Sequence, residues 1–155
     1  MTAPLAWIVD TGVVSEMMRP YPDPRVAYFL DAIAIEGIGI STITTWEILN
    51  GIGRLNPGRR REALAARFQN ILDDVFADRV VDWTASDALA CAVVMEVKRR
   101  LGEAHDRHLP DCMLAGTARS RKLTVVTRNE KGFRNTGVKA INPWTAAAPG
   151  IALRA

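Results

Sequence analysis

The sequence predicts an α/β fold, with a central, mainly parallel β-sheet flanked by helices on both faces. Two observations carry this. Short runs rich in apolar residues recur at positions 5–9, 37–41, 80–83 and 123–127, as strands buried inside a parallel sheet read. Between them lie longer stretches with apolar residues at helical spacing, and such strand–helix alternation belongs to α/β proteins.

The elements follow in order. Leu5-Ala6-Trp7-Ile8-Val9 is a strand that ends in Asp10. Thr11 or Ser15 can cap a short helix that stops near Arg19-Pro20, because proline disfavours helix at the residue before it. Pro24 opens a helix with Val26, Phe29, Leu30 and Ile33 on one stripe. After the second strand, Thr44 or Thr45 starts a helix with Ile48, Leu49, Ile52 and Leu55 towards the core. Asn56-Pro57-Gly58 turns the chain into a long helix from Arg59 to about Phe76. The third strand follows, and Thr84 caps a helix to Leu101. A polar loop leads to Pro110, in the first turn of a helix ending near Arg119. The fourth strand, a polar loop and a short strand around Lys139-Ala140-Ile141 complete the pattern. Residues 1–145 make one domain, and 146–155 read as a loosely held tail.

Composition narrows the class. The 155 residues are 48% hydrophobic and 24% charged, and 20 Lys+Arg against 17 Asp+Glu give +3. That excludes a disordered chain and permits a nucleic-acid partner without arguing for one. The N-terminus has no basic leader, and no stretch approaches a membrane span. Cys91 and Cys112 are expected as buried free thiols in a reducing cytoplasm. The four tryptophans, Trp7, Trp46, Trp83 and Trp144, are expected in the core.

Three acids stand out by position. Asp10 directly follows the first strand, at the carboxyl edge where parallel sheets collect ligands. Glu47 lies beside the apolar stripe of its helix, with Gly51 one turn on; a glycine there weakens the helix and suggests close approach of another group. Asp111 shares the small, core-facing side of its helix with Leu114, Ala115 and Ala118, a costly place for a lone carboxylate. Singly, each acid reads as a cap or a dipole partner. Together on one edge they would repel one another unless a cation neutralised them. Carboxylates with several waters suit Mg²⁺ or Mn²⁺, and such a centre activates water against phosphodiesters. Asn129, just beyond the fourth strand, completes the edge. His105, Asp106 and His108 offer only weak zinc spacing in a loop.

Cations cluster at Arg59-Arg60-Arg61, Lys98-Arg99-Arg100, Arg119 with Arg121-Lys122, and Arg128 with Lys131 and Arg134. The last group shares the edge of Asn129 and is the best candidate for holding the phosphates of a substrate.

These residues resemble a known family. Ile8-Val9-Asp10-Thr11 with Ser15-Glu16 and Met18-Arg19-Pro20 resemble the opening of PIN-domain ribonucleases of the VapC toxin family, particularly its FitB-like branch. Ser41-Thr42-Ile43 with Trp46-Glu47-Ile48 and Asn50-Gly51-Ile52 resemble the second motif, and Leu109-Pro110-Asp111 with Leu114-Ala115 the third. Val126-Thr127-Arg128-Asn129, Phe133, Thr136-Gly137-Val138 and Asn142-Pro143-Trp144 resemble the fourth. The resemblance runs from about Leu5 to Trp144.

It implies a PIN-like fold and a Mg²⁺-dependent endoribonuclease, with Mn²⁺ able to substitute, acting as the toxin of a type II toxin–antitoxin system. Asp10 and Asp111 would bind the metal, Glu47 would complete the site, and Asn129 would be a polar ligand to water. The resemblance also implies a cytoplasmic homodimer inhibited by a VapB-like antitoxin, whose C-terminal segment covers the acidic groove and can insert an arginine. Gly12 replaces the family's usual asparagine, and Gly132 the aspartate of many members. Together with Asn129, where the family often has aspartate, those two departures leave a second reading, a catalytically weakened PIN-fold module that binds RNA or a partner. A receiver-like signalling domain is a third, but it would want an acidic pair after the first strand, where only Asp10 stands.

Overall fold

The computed structural model describes residues 3–104 and 108–149. In chain order the elements are β1 (Trp7–Val9), α1 (Thr11–Met17), α2 (Pro24–Ile33), β2 (Ile38–Ser41), α3 (Thr42–Gly53), α4 (Arg59–Asp74), β3 (Val80–Val81), α5 (Ala85–Arg100), α6 (Leu109–Arg121), β4 (Thr124–Val126) and β5 (Ala140–Ile141). Single 3-10 turns cover Ala34–Glu36 and Glu130–Phe133; the second lies in the expected polar loop.

The strands form one sheet in the order β3-β2-β1-β4-β5, and every pairing is parallel. The chain therefore builds outward from β1 on one side, then crosses to the other to place β4. That reversal puts a crevice between the carboxyl ends of β1 and β4, where open α/β sheets bind ligands. Val9 pairs with Val126 in register, and Asp10 N donates to Val126 O at 3.0 Å. The two chain ends that leave the crevice, at Asp10 and Thr127, are thereby fixed side by side.

Each sheet face carries its own core. Val13, Phe29, Ile33, Ile48 and Phe68 belong to the cluster under α1–α4. Ile8, Cys91, Val94, Leu114 and Val125 belong to that under α5 and α6. Alternate residues of β1 point into each: Ile8 into one, Trp7 and Val9 into the other. Cys91 and Cys112 are buried thiols that form no disulfide. Trp144 and Ala148 pack into the first cluster, so packing continues past Trp144.

Two helix starts differ from expectation. Asp10, not Thr11 or Ser15, caps α1, and α3 begins at Thr42 because the Ser41 hydroxyl accepts from Thr44 N at 2.9 Å. Starting there, α3 buries Thr44, Ile48 and Ile52. Leu49 and Trp46 were expected in the core, but they stand 52% and 57% exposed. Each lies well round the helix from that buried line. Nothing lies within 4 Å of a Cβ built on Gly51, so no close approach explains that glycine.

Helices α5 and α6 pack most closely of all. A Cβ on Gly116 would stand 2.8 Å from Asp87 O, Cys91 N and Cys91 Cβ. Backbone cannot give way there as a flexible side chain can. Gly116→Ala is expected to destabilise the fold by about 1–3 kcal/mol, read as a lower urea midpoint at unchanged slope. Nearby, the fully buried Asp87 forms a capping box with Thr84 and takes hydrogen bonds from Ser120 and Arg121. Burial alone would raise its pKa, but these donors outweigh it and the carboxyl titrates below its usual 3.8.

Candidate active site

Asp10 is held on both oxygens. Oδ1 accepts from Thr11 N at 2.7 Å, the capping bond of α1, and Oδ2 accepts from the Thr127 hydroxyl at 2.7 Å. Thr127, fully buried, also accepts from Asn129 N at 3.0 Å. Asn129 Nδ2 then donates to Asp111 Oδ2 at 3.2 Å. A single chain of hydrogen bonds thus runs from the end of β1 through the end of β4 to the start of α6. On the other flank the Thr11 hydroxyl donates to Glu47 Oε1 at 2.7 Å. Position 11 hence serves twice, its amide on Asp10 and its hydroxyl on Glu47.

The electrostatics agree with this proximity. Burial pushes the Glu47 carboxyl up; the Thr11 hydrogen bond opposes this, and the charges of Asp10 and Asp111 reinforce it. Burial likewise raises Asp111, and the charge of Asp10 adds to it, against His108, Asn129 and Lys98. The three acids expected from sequence therefore stand within one another's fields. Among the described residues, Oε2 of Glu47 and Oδ1 of Asp111 carry no hydrogen bond.

Among the described residues, no three His, Cys, Asp or Glu side chains converge closely enough to hold an ion between them. A hard cation does not require that. Mg²⁺ commonly takes one or two carboxylates and fills its octahedron with water. Unpartnered oxygens on half-buried, mutually repelling carboxylates fit such an ion, because its charge would relieve the repulsion.

Gly132 belongs to this constellation. Its N donates to Asn129 Oδ1 at 3.3 Å, and a Cβ there would lie 2.6 Å from Asn129 Nδ2 and 3.2 Å from Asp111 Oδ2. Asparagine at 129 and glycine at 132 thus fit as a pair, the amide occupying space a side chain at 132 would need. Gly132→Ala is expected to displace Asn129 and lower RNA cleavage by about 10–100-fold, since small misplacements cost that much. The initial rate on a labelled RNA checks it. Gly12, by contrast, has open space around its Cβ position.

The expected RNA-binding cations divide. Arg128 is stacked over the Trp144 ring at 4.6 Å and its charge reaches Asp23 on the α2 side. Lys131 is exposed beside Asn129 and makes no ion pair among the described residues. Arg134 is exposed, and its charge acts on Glu103. Two other clusters are largely spent on structure. Arg119 bonds Thr136 O, Arg121 holds Asp87 and Asp82 O, and Arg99 and Arg100 pair with Glu96. His105 and Asp106 lie outside the described residues. Sequence reasoning missed Thr11 and Thr127 as the groups that orient the acids. Their signal was a threonine next to each strand end. The sequence places Lys98 in a cationic cluster, but the structure buries it at 4% exposure.

A groove of about 640 Å³ runs away from Glu47 and Thr11. Met18, Ile48, Ile52, Leu55 and Leu64 line it, with Arg19, Arg60 and Arg67 among its polar walls.

The PIN domain family matches residues 7–139. The chain belongs to that family. Among PIN-domain relatives, Toxin FitB of Neisseria gonorrhoeae is 31% identical over 139 residues, covering 88% of this chain and 97% of its own. VapC ribonuclease Y4jK of Sinorhizobium fredii is 29% identical over 140 residues, covering 90% and 99%. The crystal structure of FitAcB from Neisseria gonorrhoeae superimposes with a TM-score of 0.80 at 30% identity, over 90% of this chain and 99% of that one. The all-parallel five-stranded sheet and its helices are thus those of a PIN domain on the VapC/FitB branch. Among the described residues of this PIN-domain chain, no helix is long and apolar enough to cross a membrane.

Proposed function

We propose that this PIN-domain protein is the toxin of a toxin–antitoxin pair and a Mg²⁺-dependent endoribonuclease, with Mn²⁺ able to substitute. The observation that carries this reading is the linked set at the sheet's switch point: Asp10, Glu47 and Asp111 in one field, tied together through Thr11, Thr127 and Asn129. The names of the relatives, a toxin and a ribonuclease, agree with it.

In this account Asp10 and Asp111 hold the ion and Glu47 completes its surroundings. Bound there, a divalent cation supplies charge neutralisation at the phosphate and a water of lowered pKa. The protein's own groups do the rest. Thr127 and Thr11 fix the Asp10 carboxylate from both sides, so its geometry does not depend on solvent. Asn129 orients Asp111 without adding a fourth negative charge. Glu47, with its raised pKa, presents Oε2 as the atom free to take a proton from water. Arg128, Lys131 and Arg134 leave the same edge and would neutralise RNA phosphates.

The groove beside Glu47 suits the antitoxin. Its apolar floor would take apolar side chains of an extended segment, and Glu47 at its end would take an arginine. Exposed Trp46 and Leu49 on the outer face of α3 are apolar surface that a second copy could cover in a homodimer. The cytoplasm, where RNA and antitoxin meet, is the compartment this role requires.

The test is growth. Expression of the wild type in a bacterial host is expected to stop growth, and co-expression with the product of an adjacent small antitoxin gene to restore it. Equal arrest by wild type and Asp10→Asn would overturn the catalytic part and favour toxicity through binding alone.

A further inference from the structure

A second, smaller pocket adjoins the acidic site. It measures about 310 Å³ and lies between the end of α5, the start of α6 and the 3-10 turn after β4. Lys98, Glu103, His108, Asn129, Lys131 and Gly132 line it. Two of these residues also bound the acidic site, because Asn129 bonds Asp111 and the Cβ position of Gly132 is 3.2 Å from Asp111 Oδ2. The pocket therefore begins a few ångströms from the carboxylates, on the side away from the groove along Glu47.

The cations there are unequal. Lys98 is buried, with its ammonium bonded to Glu103 Oε2 at 3.2 Å and to Arg134 O at 3.3 Å. An ammonium has three donors, so one N–H remains beyond these two bonds. Burying a lysine is expensive unless it is paired, and here Glu103 and a backbone carbonyl hold it in place. Lys131 also lines the pocket and stands exposed. Glu103 is already engaged by Lys98 and by Asn135 Nδ2 at 2.7 Å. Two ammonium groups against one carboxylate leave the walls with a positive balance, and the remaining Lys98 donor, Lys131 and the second N–H of Asn129 all seek acceptors.

We propose that this pocket is a phosphate subsite, in which Lys98 and Lys131 hold the RNA phosphate next to the one being cleaved. This rests on the ribonuclease reading and adds to it the direction the strand takes, from the acidic site across Asn129 towards α5. Lys98, fixed by Glu103 and Arg134 O, supplies a preset charge; Lys131 supplies a mobile one.

The experiment uses the intact protein and a short single-stranded RNA. Binding is measured in EDTA between 50 and 200 mM salt, and cleavage with Mg²⁺, for wild type, Lys131→Ala and Lys98→Met. Loss of one phosphate contact is expected to weaken binding about 3–10-fold and to reduce the salt slope by about 0.7, raising KM with little change in kcat. In wild type, a neutral methylphosphonate linkage beside the cleaved bond is expected to cost at least that factor, and to cost less in Lys131→Ala, where only Lys98 still faces that phosphate. A salt slope unchanged in both variants would overturn the proposal. So would a lower melting temperature for Lys98→Met with unaltered slope, which would make Lys98 a clamp only. Losses that follow base identity and not the phosphate would overturn it in favour of base reading. If wild type neither binds nor cleaves RNA, the ribonuclease reading itself fails and the subsite with it.

Discussion

Asp111→Asn is expected to lower RNA cleavage at least about 10³-fold, the scale on which groups that stabilise developing charge act. The same change is expected to make the metal-free protein more stable. Folding raises the pKa of Asp111 through burial and the charge of Asp10. A carboxyl with a raised folded pKa opposes folding while ionised; that penalty shrinks as pH falls below the folded value and is gone below the unfolded one. At pH 7 the neutral amide removes it. Wild type without metal should therefore gain stability as pH drops from the folded pKa of this group towards its ordinary 3.8, and Asp111→Asn should lack that component. Thermal melts across pH with cleavage assays check both halves. A variant both inactive and less stable would mean that Asp111 serves chiefly to hold α6.

Mg²⁺ is expected to stabilise the wild type and not Asp111→Asn. An ion that binds only the folded chain adds about 2.7 kcal/mol at 100 times its Kd, several degrees of melting temperature for a chain of this size. Its source is the repulsion among Asp10, Glu47 and Asp111, which the ion offsets. A thermal titration with MgCl₂, and with NaCl at matched ionic strength, separates this from general screening. Equal shifts in both proteins would remove Asp111 from the metal site.

The sheet was legible because its strands are buried on both sides, so each reads as a short apolar run without alternation. Asp10 was legible for the same reason: a charge that ends such a run can only sit at the sheet edge. Glu47 and Asp111 showed in the phase of their helices. What stayed hidden depends on contacts far apart in sequence. The buried Lys98 is recognisable only once the Arg134 carbonyl is placed over it. Arg119 and Arg121 look like a nucleic-acid patch in the sequence, yet Thr136 O, Asp87 and Asp82 O take them. Trp46 and Leu49 read as core because apolar residues crowd α3; the structure buries Thr44 with Ile48 and Ile52 and leaves those two outside. Asn129 and Gly132 look like two separate losses from the family pattern. In the fold they adjoin, and the amide of Asn129 fills space that a side chain at 132 would need.

The fold also shows why a net charge of only +3 says little about partners. The negative groups of the site are gathered at one end of β1 and β4. Of the cations, Lys131 stands exposed beside Asn129, while Arg99, Arg100, Arg119 and Arg121 are consumed in ion pairs and carbonyl contacts.

The most direct test of the central claim is cleavage of a labelled single-stranded RNA by the purified wild-type protein, with Mg²⁺ and with EDTA, in parallel with Asp10→Asn. Wild type with Mg²⁺ is expected to give defined products, with intact RNA in the other lanes. Equal cleavage in EDTA, or by Asp10→Asn, would contradict that claim.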